Sequence, residues 1–125
     1  MEKRYLTLND ISAYKISFQL SNYVWNIVSK WNIFEKKTVG DQFVRAIDSI
    51  SANIAEGFGR YHKKEKIHFY KISYGSLTES LDWNEKASHR KLLSEDEYNY
   101  ISTELKNLPK EINHLIYFTN EKLSI

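Results

Sequence analysis

No cysteine occurs in the chain, so disulfides, thiolate zinc sites and thiol nucleophiles are excluded, and a reducing compartment is the expected setting. Proline occurs once and glycine four times in 125 residues, which leaves few places where the backbone must break. No apolar run approaches the roughly 20 residues of a membrane span. The opening "MEKRYLTLNDIS" is basic but lacks the continuous apolar stretch of about 7 to 15 residues that an export signal needs. A soluble cytoplasmic protein without membrane contact is expected. Neither charge sign dominates: 18 Lys and Arg face 16 Asp and Glu, a balance of +2 that does not mark a nucleic-acid binder by itself. There is no Gly-x-Ser-x-Gly elbow, phosphate loop or dinucleotide fingerprint, so neither an enzyme nor a bound cofactor is expected.

What is present is helical periodicity. Apolar residues recur at three- and four-residue spacing rather than alternating, and the length suits one domain around one core. The first helix follows Asn9 or Asp10 as a cap and runs to about Lys30. It carries two apolar stripes, one of Ile11, Tyr14, Phe18 and Trp25, the other of Ile16, Leu20, Tyr23, Val24 and Ile27. The second, capped by Thr38, runs from about Val39 to Phe58 with Phe43, Ala46, Ile47, Ile50, Ile54 and Gly57 facing inward. Gly57 offers no side chain where a neighbouring helix must come close, whereas Gly59 suits the helix end.

The third helix covers about Lys63 to His89. Its inner stripe is Ile67, Tyr70, Tyr74, Leu77 and Leu81, and about 150° round lie Phe69, Ile72, Ser76, Trp83 and Ala87. The last begins at a Ser94/Glu97 capping box and carries Ile101, Leu105, Leu108, Ile112, Leu115, Ile116 and Thr119. Pro109 within that stripe removes a backbone donor and crowds a carbonyl, which predicts a kink in one continuous helix. Short breaks near 31–37, 59–62 and 90–93 favour antiparallel neighbours. The expectation is all-α: an antiparallel up-down-up-down four-helix bundle, one domain over 1–125, with helix four kinked at Pro109. Helices one and three are apolar on two sides, more than one small bundle covers. A homo-oligomer is therefore expected, with Phe69, Ile72 and Trp83 of helix three and Ile16, Leu20 and Tyr23 of helix one at its interface.

A bundle invites a di-iron reading, and Glu65-x-x-His68 and Glu111-x-x-His114 have the spacing such sites use. Both pairs project away from their helix's core stripe, and helix one has no glutamate to complete the ligands. No metal is expected.

The densest positive charge falls in "SISANIAEGFGRYHKKEKIHFY", residues 49–70, where Arg60, Lys63, Lys64 and Lys66 surround Glu65. Lysines in a first helical turn lie near the positive end of the helix dipole and are unfavourable by roughly 0.3 to 1 kcal/mol each. A phosphate ligand would offset that. Arg60, His62, Lys63, Lys64 and Lys66 read as its contacts, and Tyr61 as a surface for stacking an unpaired base. The plainer account makes the lysines a solvated face paired with Glu65, and makes Glu56 and Arg60 a helical ion pair. Charge is also unevenly spread: residues 30–71 hold nine Lys or Arg and five Asp or Glu, for +4, while residues 79–111 hold five and eight, for −3.

The run "SANIAEGFGRYHKKEKIHFYKISYGSLTES", with "QFVRAIDSI" before it, resembles the bacterial four-helix-bundle family of 23S rRNA intervening-sequence proteins. The likeness centres on Asn53, Ile54, Ala55, Glu56, Gly57, Arg60, Lys64, Glu65, Gly75, Ser76 and Leu77. Ala52 stands where the family often has proline, and Tyr61-His62 where a serine often precedes the third helix. The resemblance implies a homopentameric, barrel-like assembly. It also implies a likeness in fold to accessory proteins of diversity-generating retroelements, which bind a reverse transcriptase and nucleic acid. The expected function is a non-enzymatic oligomer that binds RNA or a ribonucleoprotein through the corner between helices two and three. The alternative is a scaffold for a protein partner such as a reverse transcriptase, with no RNA role of its own.

Overall fold

A computed structural model describes residues 6–123. Residues 1–5, where the opening stretch read for an export signal begins, and 124–125, at the end of the expected domain, lie outside the described residues. Four long helices make the fold: α1 (Ser12–Val28), α2 (Asp41–Gly59), α3 (Lys63–His89) and α4 (Glu95–Lys122).

Their ends follow local hydrogen bonding, and two differ from expectation. Neither Asn9 nor Asp10 caps α1. Asp10 instead reaches back to accept the Thr7 backbone N–H at 2.7 Å, closing a separate 3-10 turn over Leu8–Asp10, and α1 begins after Ile11. Thr38 does not start the second helix either. Asn32 does, its side-chain oxygen accepting the Glu35 N–H at 2.9 Å. The chain then passes through Ile33–Glu35 and a wide π turn, Lys36–Gly40, straight into α2, and the Thr38 hydroxyl merely donates back to the Phe34 carbonyl. α4 starts as expected: Ser94 accepts the Glu97 N–H at 3.1 Å and Glu97 accepts the Ser94 N–H at 2.8 Å. It stays continuous through Pro109.

Cross-helix contacts set the topology. Early α3 meets late α2 where Lys66 bonds the Phe58 carbonyl, and late α3 meets early α4 where Asn84 donates to Ser102 at 2.9 Å. The Tyr23 and Tyr100 rings, 4.4 Å apart, join late α1 to early α4. Each helix therefore packs antiparallel to its neighbours in a closed ring of four, the up-down-up-down bundle. Leu20, Val24, Phe43, Ile47, Ile50, Ile54, Tyr70, Leu77, Ile101, Leu105, Leu108 and Ile112 fill the core.

The buried seam of α3 differs from its most apolar stripe. Tyr70, Ser73, Leu77, Ser80, Asn84 and Ala87 are buried at alternating three- and four-residue spacing, while Tyr74 is exposed and Ile67 and Leu81 flank the seam. Small polar side chains are tolerated there because they find partners: Ser73 donates to the Ile50 carbonyl of α2 at 2.9 Å, and Ser80 to the Ser76 carbonyl at 2.8 Å. α1 follows the same rule, burying Ala13, Ser17, Leu20, Val24 and Val28.

Gly57 sits at the tightest approach of α2 and α3. A β-carbon there would lie 2.7 Å from Tyr70 Cε1 and 2.9 Å from the Lys66 carbonyl oxygen, whereas one at Gly75 would meet nothing. Gly57→Ala is expected to lower stability by roughly 1 to 3 kcal/mol, and Gly75→Ala to raise it by about 0.5 to 1 kcal/mol, both read from urea unfolding. Tyr70 gives a second expectation. Burial pushes its phenol up to about 12, against a hydrogen bond with Thr119 that works the other way. The unfolded phenol ionises near 10.0, so its contribution is complete below that pH and is lost as pH rises through about 12. Tyr70→Phe should therefore remove a stability loss of roughly 2 to 3 kcal/mol across that alkaline window.

Candidate nucleic-acid interface

α2 ends at Gly59, Arg60 and the next two residues turn the chain, and α3 starts at Lys63 with no side chain capping it. In an antiparallel bundle this corner also lies beside the C-terminal end of α4. The N-terminus of α3 is thus flanked by two helix ends whose last carbonyls need donors.

The lysines supply them. Lys66 Nζ donates to the Phe58 carbonyl at 2.7 Å and lies 5.4 Å from the centre of the Phe58 ring; burial pushes its pKa down. Lys63 Nζ donates to the carbonyls of Asn120 at 3.2 Å and Leu123 at 3.4 Å. Positive charge that is unfavourable at its own helix's start is favourable at the ends of two neighbours. The corner needs no ligand to account for these two residues. Arg60 is also engaged: Nη2 lies 3.0 Å from Glu56 and Nη1 3.6 Å from Glu65, and its carbon centre sits 4.6 Å from the centre of the Phe69 ring. Its Nε is buried without a partner. Asn53 donates to the Ser49 carbonyl at 2.8 Å.

Of the six residues expected to touch nucleic acid, Lys63 and Lys66 therefore have their donors directed into the fold, and Arg60 has two of its nitrogens facing carboxylates at the surface. Tyr61, His62 and Lys64 face solvent, with Tyr61 71% exposed and its ring edge-on to His62 at 5.0 Å. Sequence reasoning missed His68 and Lys71, which are exposed on the same face of α3 as Lys64. Their four- and seven-residue spacing from Lys64 carried the signal. This row runs between two open grooves. One, of about 690 Å³, is lined by Arg60, His62, Lys63, Lys64, Glu65, His68 and Phe69. The other, of about 420 Å³, lies between Lys63, Lys64, Ile67, His68, Lys71 and Asn120. Among the described residues neither Lys64 nor Lys71 is in an ion pair.

One residue of the expected oligomer surface requires correction. Leu20 is 1% exposed and belongs to the protomer's own core, because the 13–17–20–24–28 seam, not the bulkiest stripe, turns inward. Ile16, Tyr23 and Trp83 are half-buried against that core, with Trp83 Nε1 donating to Glu79 at 3.2 Å. Phe69 is half-buried beneath Arg60, and Ile72 is exposed. Large exposed groups lie elsewhere, with Trp25 at 59%, Ile33 at 69% and Phe34 at 72%. Trp25 and Ile33 border an apolar groove of about 720 Å³ with Val28, Val44, Lys36 and Lys37. Among the described residues no three His, Asp or Glu come together to hold a metal, and no helix is long and apolar enough to cross a membrane.

The fold defines a class, the small four-helix-bundle proteins. Within it the chain belongs to the 23S rRNA-intervening sequence protein family, whose model matches residues 9–114. A solved structure with the same fold is that of a protein of unknown function from the S23 ribosomal protein family of Bacteroides thetaiotaomicron VPI-5482. It is 18% identical with a TM-score of 0.73, and the match covers 83% of this chain and 97% of that one. No curated protein matches the sequence.

The division between committed and free lysines can be measured. Lys66→Met should cost roughly 1 kcal/mol of stability, because the Phe58 carbonyl loses its donor, whereas Lys64→Met should stay within about 0.5 kcal/mol of the parent. Urea unfolding of the two variants side by side reads the difference.

Proposed function

We propose that the protein is a non-enzymatic, self-associating, cytoplasmic RNA-binding protein that holds structured RNA by its phosphates along the outer face of α3. The observation that carries this reading is the row of Lys64, His68 and Lys71, exposed on one face, bordered by two grooves, with no carboxylate paired to either lysine among the described residues. Lys63 and Lys66 add to the local positive potential without contacting RNA, since their donors already serve the fold. Binding of this kind fixes the position of a backbone and reads little sequence.

Self-association is supported by the exposed aromatic and aliphatic groups around Trp25, Ile33 and Phe34. Five copies, the number that the family resemblance implies, would repeat the basic row around a ring and multiply a modest charge per chain. The same apolar groove favours a second reading, in which it holds a different protein, such as a retroelement reverse transcriptase, and RNA plays no part.

Fluorescence anisotropy with a labelled RNA hairpin tests the first reading. Affinity should fall steeply with salt, and replacing both Lys64 and Lys71 by alanine should flatten the log–log salt slope by about 1.5 to 2. An unchanged slope would mean that the row does not touch phosphate. Light scattering tests assembly: Trp25→Glu should lower the particle mass, whereas an unchanged mass together with no RNA affinity would favour the second reading.

A further inference from the structure

The larger groove beside the basic row has an unusual wall. Arg60 is held in place from three directions: Glu56 takes Nη2 at 3.0 Å, Glu65 stands 3.6 Å from Nη1, and the Phe69 ring supports the guanidinium from one side at 4.6 Å. Its two terminal nitrogens thereby face carboxylates of the protein and its Nε is buried, so the residue is poorly placed to bind a phosphate. Its side chain nevertheless remains 40% exposed and lines the groove. What a guanidinium so held still offers is its other flat face, and planar cations stack well on nucleobases.

We propose that this groove receives one unpaired nucleotide of a bound RNA, its base stacked on the outer face of the Arg60 guanidinium and its phosphate facing Lys64. The inference rests on the RNA reading above and narrows it, from RNA in general to RNA with a base outside the helix. Several features fit that occupant. The groove's volume of about 690 Å³ lies within the range of small-ligand sites, roughly 300 to 1,000 Å³. Its charged lining is three cations, Arg60, Lys63 and Lys64, to one carboxylate, Glu65, which is itself turned toward Arg60. His62 and His68 add flat rings to its border, and Tyr61 stands beside His62. Cations along a track with planar groups beside it are the usual means of holding single-stranded nucleic acid. The pinning by Glu56, Glu65 and Phe69 has its own consequence. The stacking surface is ordered before RNA arrives, so little conformational freedom is lost on binding.

The test compares a short, fully paired RNA duplex with the same duplex carrying one bulged adenosine, both fluorescein-labelled, by anisotropy against the full-length protein. The bulged RNA should bind about 5- to 100-fold more tightly. Arg60→Lys, which keeps the charge and removes the plane, should abolish that advantage while leaving duplex affinity in place. Equal binding of the two RNAs by the parent protein, still lost on replacing Lys64 and Lys71, would overturn the nucleotide site and leave the phosphate reading standing. Binding of neither RNA would overturn both. An advantage that persists in Arg60→Lys would rule out Arg60 as the platform. Should that variant fail to fold by circular dichroism, the parent protein with 2-aminopurine at the bulge decides: quenched emission on binding supports stacking, and unchanged emission overturns it.

Discussion

The close passage of α2 against α3 at Gly57 and Tyr70 is the constraint on which the rest of the molecule depends. With no side chain on α2 at that point, the Tyr70 ring and the Lys66 carbonyl come within a distance that any β-carbon would forbid. The two helices are therefore near enough at their shared corner for three residues to connect them, and for Lys66 to reach across to the Phe58 carbonyl. Arg60 leaves the end of α2 pointing at Phe69 and Glu65 on the first turns of α3. Loosening the hairpin at its tightest point would displace all of these partners.

That geometry changes what the basic junction means. A string of lysines opening a helix looks paradoxical when the helix is taken alone, because the aligned peptide dipoles already place positive charge there. In the bundle the same position abuts the carbonyl ends of two antiparallel neighbours, and Lys63 and Lys66 act as their caps. The fold itself thus accounts for much of the charge, and the surface left over for a ligand is narrower and displaced along α3 toward His68 and Lys71.

Helix number, the position of α3 and the Ser94 capping box were legible because each rests on local chemistry within a few residues, and Gly57 because it falls on the inner stripe. Which stripe of α1 or α3 turns inward was not. Hydrophobicity favoured Tyr74 and Leu81 over Ser80 and Asn84, yet the polar pair is buried, through hydrogen bonds whose partners include Ser102 on another helix. Leu20 lies in the protomer's own core rather than at an oligomer interface for the same reason, since two apolar stripes on one helix carry no label saying which the neighbours will cover. Asn32 was overlooked as a cap because a π turn separates it from the regular part of the helix it starts. The corner's residue types were visible in the sequence, but the partners of Lys63 at the end of α4 lie more than fifty positions away along the chain.

The wide turn at Lys36–Gly40 is in effect a single extra residue accommodated inside a helix. Such an insertion rotates the N-terminal segment by about 100° relative to the C-terminal one. Ile33 and Phe34 lie before it and the core residues of α2 after it, so the turn sets the direction in which that exposed pair looks relative to the packed face of α2. Removing one residue from the turn would swing the pair about the axis of its own helix and present it to a different neighbour, while the register of the α2 core residues after Asp41 stayed as it is.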